Sequence, residues 1–218
     1  MNERTILTIS ERTTIRRLPE LASHDRATLY CIVDEAYVCH IAFGTNHDTH
    51  CIPTAHWRDG DYLYIHGSNG SRLIKALSAG VQASVAITLL DGLVLARSAF
   101  SHSMNYRSTV IYGQFETVVS SAEKLAALDV FMDKIAAGRR HEARPGNSRE
   151  INATSVLRVS LAEAAVKVSD SHPSDKEEDL ELAVWAGILP LKTARGTPIH
   201  SDGSENVPTP DYVKNWAD

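Results

Sequence analysis

Apolar and polar residues alternate with a period of two along much of the first two-thirds of this chain, as they do in strands with one buried face. Residues 28–33 (TLYCIV) read as one strand, Asp34-Glu35 as a turn, and 37–43 as the strand that returns. A polar connection at 44–48 leads to a third strand at 50–57. Asp59-Gly60 is a hairpin signal, because both positions tolerate positive φ, and it opens a fourth strand at 61–66. These four make an antiparallel meander. Runs rich in β-branched and aromatic residues at 82–90, 92–100, 106–119 and 154–161 predict further strands. Gly113 inside its run marks a bulge or a close backbone approach.

The period lengthens to that of a helix twice. Residues 73–79 form a short helix stopped by Gly80. Ser120 and Glu123 make a capping box before Leu125, Leu128, Met132 and Ile135 at helical spacing, and Gly138 ends that helix. Many short strands, few helices and no βαβ alternation predict a mainly β fold, a closed or partly closed antiparallel barrel. From about Asp170 the character changes. Residues 169–179 are polar and acidic, with 175–179 (DKEED) read as a solvated linker. Residues 183–191 form a compact apolar patch, and the Pro-, Gly- and Ser-bearing end reads as an extended tail.

Composition acts mainly by exclusion. A length of 218 residues suits one domain with an appendage. The formal net charge of −5 argues against a general nucleic-acid binder. No apolar run is long enough to span a membrane, and the polar opening Met1-Asn2-Glu3-Arg4 is unlike a secretory leader, so a cytoplasmic location is expected. Cys31, Cys39 and Cys51 are odd in number and lack zinc-site spacing, so all three are read as structural, with Cys31 and Cys39 as buried small hydrophobes.

Candidate chemistry concentrates in His66-Gly67-Ser68-Asn69-Gly70-Ser71-Arg72, between the fourth strand and the first helix. A strand turning through glycines into a helix start leaves backbone N–H groups free for an anion. Ser71 adds a hydroxyl and Arg72 a forked, permanent positive charge suited to phosphate. The alternative is a capped polar turn with a solvated arginine. Histidines 40, 66 and 102 are candidates for hydrogen bonding or proton transfer near a cofactor, His66 first because it adjoins the turn. His47-Asp48-Thr49-His50 is read as a polar loop and not a metal site. Ser101-His102-Ser103 lacks the acid and glycines of a hydrolase.

Six segments in this order are specific together: 12–17 (RTTIRR), 52–58 (IPTAHWR), 66–72 (HGSNGSR), 89–100 (LLDGLVLARSAF), 102–108 (HSMNYRS) and 184–187 (VWAG). From Arg12 to Leu191 the chain resembles the pyridoxamine 5′-phosphate oxidase-like FMN-binding split barrels, in the branch that includes nitroimidazole-resistance-type proteins. The resemblance implies a Greek-key-like split barrel over residues 1–168 with a few flanking helices. Residues 169–218 would form an acidic linker and an extension on the barrel or its partner. It implies a homodimer with FMN at the subunit interface and a small-molecule substrate. Ser71 and Arg72 would grip the FMN phosphate. Pro53, Thr54 and Ala55 would line the isoalloxazine, and His66, Gly67 and Ser68 would lie along the ring and ribityl chain. Asn105, Tyr106 and Arg107 would approach from the neighbouring strand or the partner, and Trp185 would cover the site.

The chain departs from the pattern at two places. Leu73 stands where true pyridoxamine phosphate oxidases carry lysine, and Arg195 stands alone where they carry an arginine cluster. Pyridoxamine phosphate is therefore not the expected substrate. The expectation is an FMN-dependent oxidoreductase in which the flavin does the chemistry. The alternatives are a flavin carrier without turnover, a haem-binding split barrel, and a relative whose pocket is filled by side chains.

Overall fold

The computed structural model describes residues 6–45 and 48–216. The polar opening at Met1 to Arg4 and His47 of the polar loop lie outside the described residues.

After a two-residue strand β1 (Ala22–Ser23), residues 28–33 turn out to belong to a helix, α1 (Arg26–Glu35), not a strand. The Asp25 carboxylate caps it, accepting the Ala27 N–H at 3.3 Å. Leu29, Ile32 and Val33, at i, i+3 and i+4, are each 0% exposed. Burial of that stripe overrides the strand preference of Thr28, Ile32 and Val33. Cys31 lands on the exposed side of the helix, whereas Cys39 is buried and its thiol is pushed up to about 12 by desolvation.

The expected hairpin is instead β2 (Val38–Thr45) with β3 (Asp48–Ala55), running from Val38↔Ala55 to Thr45↔Asp48. The expected third strand is divided at His56, where the chain passes into the second sheet as β4 (Trp57–Asp59). Gly60, at φ 55°, closes the hairpin to β5 (Tyr62–Ser68), and α2 (Arg72–Ser78) follows. The strands expected at 82–90 and 92–100 are one, β6 (Gln82–Leu95), with its register shifted between Leu90 and Gly92. Then come β7 (Ser103–Gln114), β8 (Glu116–Thr117) and α3 (Ser121–Ile135), which Ser120 caps. A capping box of Asn147 and Glu150 starts the short α4 (Ser148–Ala153). Strands β9 (Thr154–Ser160), β10 (Ala164–Ser169) and β11 (Gly187–Pro190) and a turn of helix, α5 (Asp211–Lys214), complete the chain.

The fold is mainly β and antiparallel throughout. The larger sheet runs β1-β10-β7-β6-β2-β3, with β11 also on β6, and the smaller runs β4-β5-β9-β8. Leu29, Ile41, Leu63, Ile65, Leu77, Ile111 and Leu157 fill the core between them, each 0% exposed. A Cβ on Gly113 would stand 3.0 Å from Val159 Cγ2, so the glycine permits a close approach of β7 to β9. A second, smaller core under α3 gathers Trp57, Tyr64, Val118, Ala127 and Val156. Among the described residues no helix is long and apolar enough to cross a membrane.

Candidate functional site

The turn between β5 and α2 is held from several sides. Ser71 N–H donates to Ser68 O at 2.9 Å, and the Ser71 hydroxyl accepts the Ile74 N–H at 3.1 Å. Asn69 ties the turn to β9: its N–H donates to Ala153 O at 3.2 Å, and its side chain bonds Asn152 O at 2.8 Å and the Ser155 hydroxyl at 2.7 Å. Gly67 is required because a Cβ there would come within 2.9 Å of Ile74 Cγ1. Among the described residues, the N–H groups of Arg72 and Leu73 and the exposed Arg72 guanidinium have no partner. Two unpaired backbone donors and an uncommitted cation on a fixed turn make a site for an anionic oxygen group. Leu73 is packed in the core at 7% exposure, so the position cannot stand in for a phosphate-binding lysine.

Strand β3 continues into β4 with only His56 between them, and Trp57 pairs with Tyr64 of β5. β3 therefore runs beside β5, in contact with it. Pro53 is exposed and Thr54 and Ala55 half-buried.

His66 does not face the same way as Gly67. Its ring enters the smaller core, 4.7 Å from Phe131 and 5.8 Å from Trp57 between centroids. Burial lowers its pKa, and its Nδ1 is buried without a partner.

The remaining sequence candidates lie on β7 and in the C-terminal segment, with β6 and β2 between them and β3. Asn105, 4% exposed, fixes the chain leaving β10: its amide donates to Ser171 O and accepts from Ser171 N, both at 3.1 Å. Tyr106 pairs with Leu90. Arg107 is fully committed, to Asp91 at 2.8 and 2.9 Å and to Glu35 at 2.5 and 2.9 Å. These hydrogen bonds raise its own pKa and hold the Glu35 carboxyl below its ordinary range. Trp185, 62% exposed, lies against Gly187, where a Cβ would be 2.7 Å from the indole. Gly187 pairs with Leu95, nine residues along β6 from Ala86, the partner of His40. Nine strand residues span about 30 Å. Within one subunit, then, β3 meets β5, while Asn105, Tyr106 and Arg107 lie on β7 with β6 and β2 between them and β3, and Trp185 lies furthest along β6.

Two features were not foreseen. His56, 1% exposed, bonds Val33 O at 3.0 Å through Nε2, and Lys134 Nζ donates to the same carbonyl at 3.0 Å and to Ala36 O at 2.6 Å. Burial pushes Lys134 down to about 8; burial and the nearby Lys134 push His56 down to about 4. Asp175, expected in a solvated linker, is instead anchored with its side chain 2% exposed. It accepts the N–H groups of Arg97 and Ser98 and pairs with the Arg97 guanidinium at 2.9 Å.

Comparison with known proteins agrees with this architecture. The family model for pyridoxamine 5′-phosphate oxidase matches residues 25–168, and the chain belongs to that family. A flavocytochrome from Azotobacter vinelandii is 36% identical, with a TM-score of 0.89 over 94% of this chain and 96% of that one. An FAD and haem binding protein from Mycobacterium smegmatis is 34% identical, with a TM-score of 0.87 over 90% of this chain and 97% of that one. A candidate 5-nitroimidazole resistance protein from Bacteroides thetaiotaomicron shares the fold, at 22% identity and a TM-score of 0.53 over 67% of this chain and 86% of that one. Comparison with curated proteins gave no match.

Proposed function

We propose that this protein is a dimeric flavin-binding redox protein. The observation that carries this is the Arg72 turn, where a permanent cation and two unpaired N–H groups stand at the end of β5, the strand that β3 contacts. A flavin's phosphate would meet Ser71 and Arg72, whether it belongs to FMN or to the flavin end of FAD, and its ring would lie along Pro53, Thr54 and Ala55. Bound there, the flavin supplies one- or two-electron transfer, and the chain's part is to fix its position and surroundings. The two relatives above one-third identity, named as a flavocytochrome and as an FAD and haem binding protein, support a redox role.

A second copy of the chain completes the arrangement. On the outer face of the larger sheet, Val38, Leu90, Leu93, Met104 and Leu189 are 36–51% exposed, an apolar surface that favours a covering layer. Asn105 and Trp185, remote from the turn in their own subunit, would approach it from the partner.

Haem as a second cofactor is favoured by His102. Its Nδ1 lies 3.0 Å from Ser98 O, which can only accept, so Nδ1 carries the proton and Nε2 is left for a metal. Phe100 beside it is 101% exposed, an apolar group suited to a porphyrin face.

The test is Arg72→Ala. Loss of one charge-assisted phosphate contact should weaken flavin binding about 10- to 100-fold, with the melting temperature of the flavin-free protein unchanged. Unchanged flavin affinity would refute the phosphate assignment.

A further inference from the structure

We propose that Asp175 is a positioning residue for His102, holding the loop between β6 and β7 so that the imidazole presents its free Nε2 in one direction, an inference that rests on His102 as a haem ligand. The link runs through a single residue, Ser98. One oxygen of the Asp175 carboxylate accepts the N–H groups of Arg97 at 2.8 Å and Ser98 at 3.3 Å. The other accepts from the Arg97 guanidinium at 2.9 Å. The Ser98 carbonyl in turn accepts the Ser101 N–H at 3.1 Å and the His102 Nδ1–H at 3.0 Å. A metal-binding histidine is oriented by what its other ring nitrogen holds, and here that partner is itself held by Asp175.

Burial separates this clamp from an ordinary surface turn. The Asp175 side chain is 2% exposed, whereas Lys176, Glu177 and Glu178 directly after it are exposed. Burying a carboxylate is costly unless its lone pairs are satisfied, and all three of its bonds go to the loop that carries His102. The base of that loop is fixed as well, with Ala96 buried at the end of β6. Its tip is the opposite, since Phe100 and His102 both stand in solvent. A tip so exposed has few contacts of its own to hold it. Asp175, on the segment that leads from β10 to β11, supplies the order from outside the loop. Ordering the loop before a ligand arrives removes that entropic cost from binding.

The experiment is titration of the haem-free protein with haemin, followed at the Soret band, for the native chain, Asp175→Ala, His102→Ala and the double variant. Asp175→Ala should weaken haemin binding about tenfold and shift the Soret band, because the ring loses its fixed orientation. Asp175→Asn, whose amide oxygen can still accept both N–H groups, should stay within about threefold of the native affinity. In the His102→Ala background Asp175→Ala should have no further effect, since the two residues act as one unit. Native affinity in Asp175→Ala, or an equal loss in both backgrounds, would overturn the proposal. If Asp175→Ala fails to fold by circular dichroism, Asp175→Ser, whose hydroxyl is too short to reach both N–H groups, carries the same comparison. Failure of the native protein to bind haemin, or native affinity in His102→Ala, would overturn the haem reading of His102 itself, and this one with it.

Discussion

His56 gives the protein an acid sensitivity that can be calculated and removed. The imidazole is buried at 1% exposure and shares the Val33 carbonyl with the Lys134 ammonium. Protonation would place a second cation on that carbonyl in a desolvated site, and the folded-state pKa falls to about 4. In the unfolded chain it returns to about 6.5. Between these values the unfolded state binds a proton that the folded state refuses, so stability falls as the pH drops from 6.5 towards 4. The loss is about 2 kcal/mol at pH 5 and ~3 kcal/mol at pH 4. Arginine-paired carboxylates such as Glu35 and Glu163, whose pKa values are lowered, lose their contribution as the pH falls through the ordinary carboxylate range towards their lowered values, so pH 7.5 to 5 isolates the histidines. Burial lowers the pKa of His66 too, but that effect is common to the two proteins compared. Urea unfolding of the native protein and of His56→Gln, which can still donate to Val33 O, should be measured at pH 7.5 and pH 5. The native protein should lose about 2 kcal/mol more than the variant over that interval. Equal losses would show that His56 titrates normally and that the Lys134 cluster is not closed to water.

Arg107→Gln should lower stability by about 1–2 kcal/mol, a discounted figure because the pairs are part-exposed, and the deficit should shrink in high salt as the repulsion between Glu35 and Asp91 is screened; thermal melts at low and high ionic strength check this. Met104→Glu, on the exposed outer face of the larger sheet, should convert a dimer to a monomer in sedimentation velocity while leaving the circular dichroism spectrum intact. A native protein that sediments as a monomer would contradict the dimer.

The fold class was legible because alternation of period two reports directly on a half-buried strand, as in residues 38–45 and 154–160. The failure at residues 28–33 has a definite cause. Leu29, Ile32 and Val33 sit at helical spacing, but β-branched neighbours give the same window a strand signature, and only burial against the sheets decides between them. The break at His56 depends on which sheet each half joins, which pairing fixes and local sequence does not. Residues 66–72 were identifiable as a candidate site because a glycine turn with serine and arginine has its chemistry written locally, whereas 53–55 entered only through the family resemblance. Asp175 reads as a solvated charge but is buried on Arg97, and the ion pairs that hold Arg107 were equally illegible. Their partners, Glu35 and Arg97, lie 72 and 78 residues away in the chain. The side the His66 ring faces was likewise settled by Phe131 on a helix far along the sequence.

The most direct measurement is the visible absorption spectrum of the purified protein, with the chromophore released by denaturation and identified by mass spectrometry. A released flavin at about one per chain is the predicted result, and an accompanying Soret band would add haem to it. A colourless protein that takes up neither FMN nor FAD when supplied would contradict the proposed function.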